Sequence, residues 1–159
     1  MARVLFIDPN IFGMNMLTPA IALFAAILKK KGHTVELFDT TYYPLKDTLD
    51  FDMDQGTRKM EKLEVVPYDL ASRGVSIKES NWKGDINRKL ESFKPDLIAM
   101  CETESIWDLG IKILEEIKDY KVKHNVPVII GGGLATFAPD LVIKNKYVDL
   151  VCVGEGENA

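Results

Sequence analysis

Four stretches of the chain are apolar without interruption: Val4–Ile7, Leu97–Met100, Val128–Ile130 and Leu150–Val153. Short runs with no polar alternation suit strands buried on both faces, as in parallel sheets. A fifth stretch, Thr34–Phe38, does alternate, which predicts a strand nearer an edge. Helical spacing fills the gaps. Thr18 is a candidate N-cap with Pro19 at the first helical position, and the helix runs through Leu23, Ile27 and Leu28 to Lys29-Lys30-Lys31 and the stop at Gly32. A helix over Trp82–Phe93 is closed by Lys94-Pro95. From Ser105 to Lys123, Ile106, Leu109, Ile113, Ile117 and Tyr120 form one buried stripe, with Trp107 off it, and a short helix begins near Pro139.

Strand–helix alternation with right-handed crossovers predicts an α/β fold: a doubly wound, mostly parallel five-stranded sheet of the Rossmann or flavodoxin kind, in the order 2-1-3-4-5. Residues 43–80 break the alternation. They are charged, contain Tyr42-Tyr43-Pro44 and Val65-Val66-Pro67-Tyr68 at or near their start and middle, and read as an insertion between the second and third strands, with local helix at Thr57–Leu63. The insertion is either a lid or contact surface, or a passive excursion. The whole of 1–159 reads as one domain.

Composition narrows the function classes. The net charge of −4 offers no basic footprint for nucleic acid or an anionic membrane. The longest apolar run, Ala20–Leu28, falls short of the roughly 20 residues a membrane span needs. The start of the chain has no signal-peptide layout. Cys101 and Cys152 form no Cys-x-x-Cys pair, so no metal cage is expected, and the default compartment is the cytoplasm.

Ligands of open parallel sheets bind beyond the carboxyl ends of the strands. There the sequence places Asp8, Pro9, Asn10 and Gly13; Cys101, Glu102 and Thr103; Gly131, Gly132, Gly133, Leu134, Ala135 and Thr136; and Gly154, Glu155 and Gly156. Three successive glycines cost conformational entropy and make sense where backbone bends sharply or a ligand approaches it closely; a generous strand-to-helix turn is the plainer alternative. His33 and His124 precede strands and belong to the opposite edge, so no imidazole is expected at the ligand edge. Cys101 lacks a base to activate it and Glu102 and Glu104 lack positioning for acid–base work, so no catalytic constellation is expected. A dinucleotide-binding domain is an alternative, with Asp39 ending the second strand where a ribose-binding acid stands, but Gly-x-Gly-x-x-Gly is missing after the first strand. A phosphoacceptor domain would want an aspartate where Cys101 stands and a lysine where Gly154 stands.

These edge motifs resemble those of cobalamin-binding domains, which carry Asp-x-His-x-x-Gly after the first strand, Ser-x-Leu or Ser-x-Thr after the third and Gly-Gly after the fourth. Here Asp8 to Gly13 matches with Asn10 for the histidine, and Cys101-Glu102-Thr103 matches with Cys101 for the serine. The chain is more similar still to the amino-terminal domain of cobalamin-dependent radical S-adenosylmethionine enzymes, through Pro19, Gly32-His33, Lys94-Pro95-Asp96-Leu97-Ile98, Gly131 to Thr136, with Leu134 where histidine is frequent, and Gly154-Glu155-Gly156-Glu157. The resemblance implies cobalamin held without a histidine ligand, its tail along the glycine-lined edge and Leu134 as an apolar wall. It also implies a downstream radical domain of the same chain, carrying an iron–sulfur cluster and S-adenosylmethionine and catalysing methyl transfer or ring formation.

Overall fold

The computed structural model describes residues 1–11, 18–45, 71–74, 78, 79 and 81–157. Gly13 and the expected helix at 57–63 lie outside the described residues. Five parallel strands form one sheet: β1 (Arg3–Asp8), β2 (Thr34–Asp39), β3 (Leu97–Cys101), β4 (Val128–Gly131) and β5 (Leu150–Val151), in the order β2-β1-β3-β4-β5. The expected order therefore holds, and the alternating strand β2 is at an edge as its pattern predicts. Residue Val4 stands level with Val35 and with Leu97, and Ile98 with Val128, so all the strands finish near one edge.

Side-chain alternation divides the core between two layers. Leu5, Ile7, Ile98, Met100, Val128 and Ile130 point to one face, which is covered by α2 (Trp82–Phe93), α3 (Trp107–His124), α4 (Gly133–Phe137) and α5 (Pro139–Ile143). Val4, Phe6 and Ala99 point to the other, where α1 (Pro19–Lys30) supplies Ile21, Phe24 and Leu28. Helix α2 follows its sequence pattern closely. Asn81 caps it by accepting from the Lys83 amide at 2.9 Å, its stripe is Trp82, Ile86, Leu90 and Phe93, and Lys94 ends it in the left-handed conformation before Pro95.

Five details depart from the sequence pattern. Thr18 makes no capping bond, and its hydroxyl donates to Asp8 Oδ1 at 3.2 Å. A helix starts directly from the glycines at Gly133, ahead of the one expected at Pro139, and α3 is preceded by a single 3₁₀ turn over Glu104–Ile106. The last strand is an edge strand only two residues long. Leu150 is 50% exposed and Val153 57% exposed, so this apolar run is not buried on both faces. Last, Tyr43 and Leu45, at the start of the 43–80 stretch, belong to the main core. Tyr43 stacks on Phe38 with ring centroids 5.6 Å apart and donates its hydroxyl to Asp85 at 2.9 Å.

Candidate functional site

The carboxyl edge is assembled from the exits of β1, β3, β4 and β5, and hydrogen bonds tie neighbouring exits together. The β1 exit is fixed by Thr40, which is fully buried beyond β2. Its hydroxyl accepts from the Asn10 amide at 2.8 Å and lies 2.8 Å from the Asn10 carbonyl, to which it donates. Asn10 is 6% exposed, and its side chain is turned along the loop: Oδ1 accepts from the Ile11 amide and Nδ2 donates to Thr41. Pro9 beside it is buried.

Beyond β3, the backbone of Glu102 joins two exits. Its amide donates to the Gly131 carbonyl at 2.9 Å, and its carbonyl accepts from the Leu134 amide at 3.1 Å. The glycine turn fits against this knot. A Cβ on Gly132 would come within 2.8 Å of the Glu102 carbonyl oxygen and 2.9 Å of Cys101 Sγ, and the residue has φ +91°, a conformation that side chains resist. Gly133 has open space around it. The turn is then tied to the β5 exit through Thr136, whose hydroxyl donates to the Gly132 carbonyl at 3.0 Å and accepts from the Gly154 amide at 3.1 Å. A Cβ on Gly156 would meet both Cys152 Sγ and Phe24 of α1 at 3.0 Å, so the last described loop closes against α1.

Strand alternation sorts the edge side chains between the two faces. Asp8 and Asp39 are level, Cys101 and Gly131 are level, and both pairs continue the α1 side of the sheet; Asp8 and Cys101 each stand one residue past the paired Ile7 and Met100. Glu102 falls on the opposite side and is fully buried against α3. There Gly110 leaves room for it: a Cβ at 110 would approach the Glu102 carboxyl carbon to 2.8 Å and Oε1 more closely still. Thus Glu102, grouped in sequence with Cys101 and Thr103, offers only backbone to the edge. Thr103 is exposed and pairs with Ser105 at 3.1 Å, while Leu134 packs on the main core and Ala135 is fully buried.

Asp8, Cys101 and Glu102 hold their protons more firmly than in water. Burial, and then Asp39, push the Asp8 carboxyl up, against the pull of the Thr18 bonds. Burial, then Asp8 and Glu102, raise the Cys101 thiol, so its nucleophilic form is suppressed. Burial, then Asp8, push Glu102 well above the usual carboxylate range. Among the described residues, Asp8 Oδ2 and both Glu102 oxygens are buried without a hydrogen-bond partner. Both histidines stand at the other end: His33 Nδ1, just before β2, accepts from the Ala2 amide at 3.1 Å, and the His124 ring, at the end of α3, lies 4.3 Å from that of Tyr120. Among the described residues, no three His, Cys, Asp or Glu side chains converge to hold a metal, and no helix is long and apolar enough to cross a membrane.

A separate cleft of about 280 Å³ lies beside the end of β2, between Asp39, Tyr42, Tyr43, Lys78 and Lys89. Asp39 Oδ1 is engaged there by the Thr41 amide at 2.8 Å. Thr40 and Gly110 are not among the candidate residues of the sequence pattern, where Thr18 stands only as a helix cap. Only Gly110 carried a signal, as a glycine inside an otherwise regular helix.

Solved structures share this fold. The radical S-adenosylmethionine methyltransferase TsrM from Kitasatospora setae, with cobalamin and a [4Fe-4S] cluster bound, superposes with TM-score 0.62 at 18% identity, over 98% of this chain and 24% of that one. The cobalamin-dependent S-adenosylmethionine radical enzyme OxsB gives 0.60 at 16% identity, over 99% of this chain and 17% of that one. A cobalamin-binding protein from Desulfitobacterium hafniense gives 0.52 at 14% identity, over 95% and 52%. This chain therefore spans about a quarter or less of the two enzymes it resembles. No match was found among curated proteins. The B12 binding domain family model matches residues 62–159, well over half of the chain and including the glycine turn, and the chain belongs to that family.

Proposed function

We propose that this domain holds cobalamin across the carboxyl edge of its sheet, with no protein imidazole as a ligand, and serves as the cofactor module of a larger radical S-adenosylmethionine enzyme. The observation that carries this reading is the Gly132 cradle. Backbone there approaches Cys101 and Glu102 so closely that no side chain fits, and the turn presents a bare backbone surface beside Gly131 and Gly133. A corrin rimmed with amide groups suits such a surface, since the backbone can approach it and the unpartnered Asp8 Oδ2 can accept from an amide N–H. The residues present therefore fit the group.

When bound, cobalamin supplies a redox-active cobalt able to carry an alkyl group. The protein's part is to bind and orient. Thr40 fixes the Asp8–Asn10 loop, Glu102 ties the β3 exit to the glycine turn, and Thr136 ties that turn to Gly154. Asn10 stands where the resemblance would put a histidine ligand. Its side chain is held along the loop by Thr41 and Ile11, and both histidines are at the opposite edge. The iron–sulfur cluster, S-adenosylmethionine and the transfer or ring-forming step would belong to the rest of the enzyme.

Titration of the 159-residue chain with hydroxocobalamin tests the proposal. Saturable changes in the visible spectrum and a raised melting temperature are expected, both weakened by Gly132→Ala. An unchanged spectrum and melting temperature over the whole titration would overturn it.

A further inference from the structure

Glu102 combines two unfavourable features. It is fully buried with neither carboxylate oxygen partnered, and the slot that receives its carboxyl exists only because α3 carries glycine at position 110. A buried carboxyl without partners costs several kcal/mol if charged, and glycine within a helix costs about 1 kcal/mol against alanine. A leucine or methionine would fill the same slot without the cost of burying a carboxyl. The residue is also the one whose backbone pins both Gly131 and Leu134.

We propose that Glu102 is a positioning residue that makes the glycine turn, and with it ligand binding at the edge, sensitive to protons. The inference rests on the proposed cobalamin site for its ligand and on the geometry alone for its mechanism. As a neutral acid the side chain stays in the Gly110 slot, and the backbone at 102 holds the turn closed. Once charged, the carboxylate gains by reaching water. It can do so only by shifting the 101–103 backbone, and that loosens the bonds to Gly131 and Leu134. Among the described residues one titratable group acts on Glu102, Asp8 from β1; Glu102 in turn raises the Cys101 thiol on its own strand, while α3 presents Gly110, which carries no charge. Asp8 acts in the same direction, since a negative Asp8 resists a second negative charge nearby.

The test compares the 159-residue chain with Glu102→Gln, which keeps the shape and cannot ionise, and with Glu102→Met as a second non-titrating variant should glutamine fold poorly. Amide hydrogen exchange at Gly132–Leu134 is measured without ligand between pH 5 and pH 9, corrected for intrinsic rates. Protection at Leu134 is expected to fall several-fold toward pH 9 in the parent and to stay level in the variants. Hydroxocobalamin affinity is then measured over the same range as the ratio of parent to variant, which cancels the ligand's own titration. The ratio should fall as pH rises, approaching about tenfold per pH unit above the Glu102 midpoint for one linked proton. Identical pH profiles of protection in parent and variants would overturn the proposal. If the parent binds no cobalamin at any pH, the functional reading fails, and the exchange measurement still decides the role of Glu102.

Discussion

Thr40 grips both backbone polar groups of Asn10: one buried hydroxyl lies 2.8 Å from the Asn10 amide and 2.8 Å from the Asn10 carbonyl. The Asp8 carbonyl, at 3.3 Å, is a third neighbour of the same hydroxyl. Removing the hydroxyl leaves buried backbone groups unpaired, at roughly 1–3 kcal/mol. Thr40→Val should therefore lower the melting temperature by about 3–10 °C, and Thr40→Ser, which keeps the hydroxyl, by much less. Thermal melts of the two variants check this. Equal melting for valine and threonine would mean that the β1 exit is held some other way.

The neighbouring glycines 132 and 133 should differ sharply in their response to alanine. Gly132 has φ +91°, and a Cβ there would come closer than van der Waals contact to the Glu102 carbonyl and Cys101 Sγ. Strain of this kind costs about 1–3 kcal/mol before any clash is counted. Gly133 has open space and begins a helix, so alanine there should fall within about 0.5 kcal/mol of neutral. Urea denaturation of the two variants provides the comparison. A Gly132→Ala chain as stable as Gly133→Ala would remove the physical basis for calling the turn a cradle.

Asp8 gives a pH prediction whose sign follows from its environment. Burial and Asp39 raise its folded pKa, so the folded chain keeps a proton that the unfolded chain has released. Its contribution is fully present below the unfolded carboxylate range and is lost as pH rises through the raised folded value. Asp8→Asn, which can still accept from Thr18, should flatten that part of the profile and be relatively more stable at pH 8 than at pH 5, compared with the parent. Urea midpoints at the two pH values test it. A steeper loss with pH in the variant would reverse the sign and reject the argument.

Much of this architecture is legible in the sequence because buried strands of a parallel sheet are written as unbroken apolar runs, as in Val4–Ile7 and Leu97–Met100. The same rule misleads at Leu150–Val153. An edge strand can be equally apolar, and only its place in the sheet leaves Leu150 and Val153 exposed. Thr18 has the residue type of a cap, but its better partner is Asp8, ten positions away, and nothing local announces that pairing. Glu102 was open to inference. Alternation continues one residue past the last ladder pair, so a side chain after Cys101 must return to the face of Met100, toward α3. Taking Cys101-Glu102-Thr103 as one ligand-facing loop overlooks that parity. The 43–80 stretch hides its core residues Tyr43 and Leu45 because no local period marks them, and Tyr43 finds its hydroxyl partner, Asp85, far along the chain.

The Glu102–Gly110 relationship makes a prediction that no single substitution can give. Gly110→Ala alone forces a Cβ against the Glu102 carboxyl in a helix that cannot easily retreat, since its neighbours Leu109, Ile113 and Leu114 are buried. Overpacking of this kind costs typically about 1–3 kcal/mol. With Glu102→Ala in place the slot is vacant, and the same Gly110→Ala change should turn stabilising. It fills part of the void and recovers about 1 kcal/mol of helix propensity. The double-mutant cycle therefore has a coupling term of roughly 2–4 kcal/mol, well beyond the few tenths expected of independent sites. Denaturation of the four chains measures it. Additive effects would show that the carboxyl and the glycine are neighbours by coincidence, and would remove the structural support for a proton-sensitive turn.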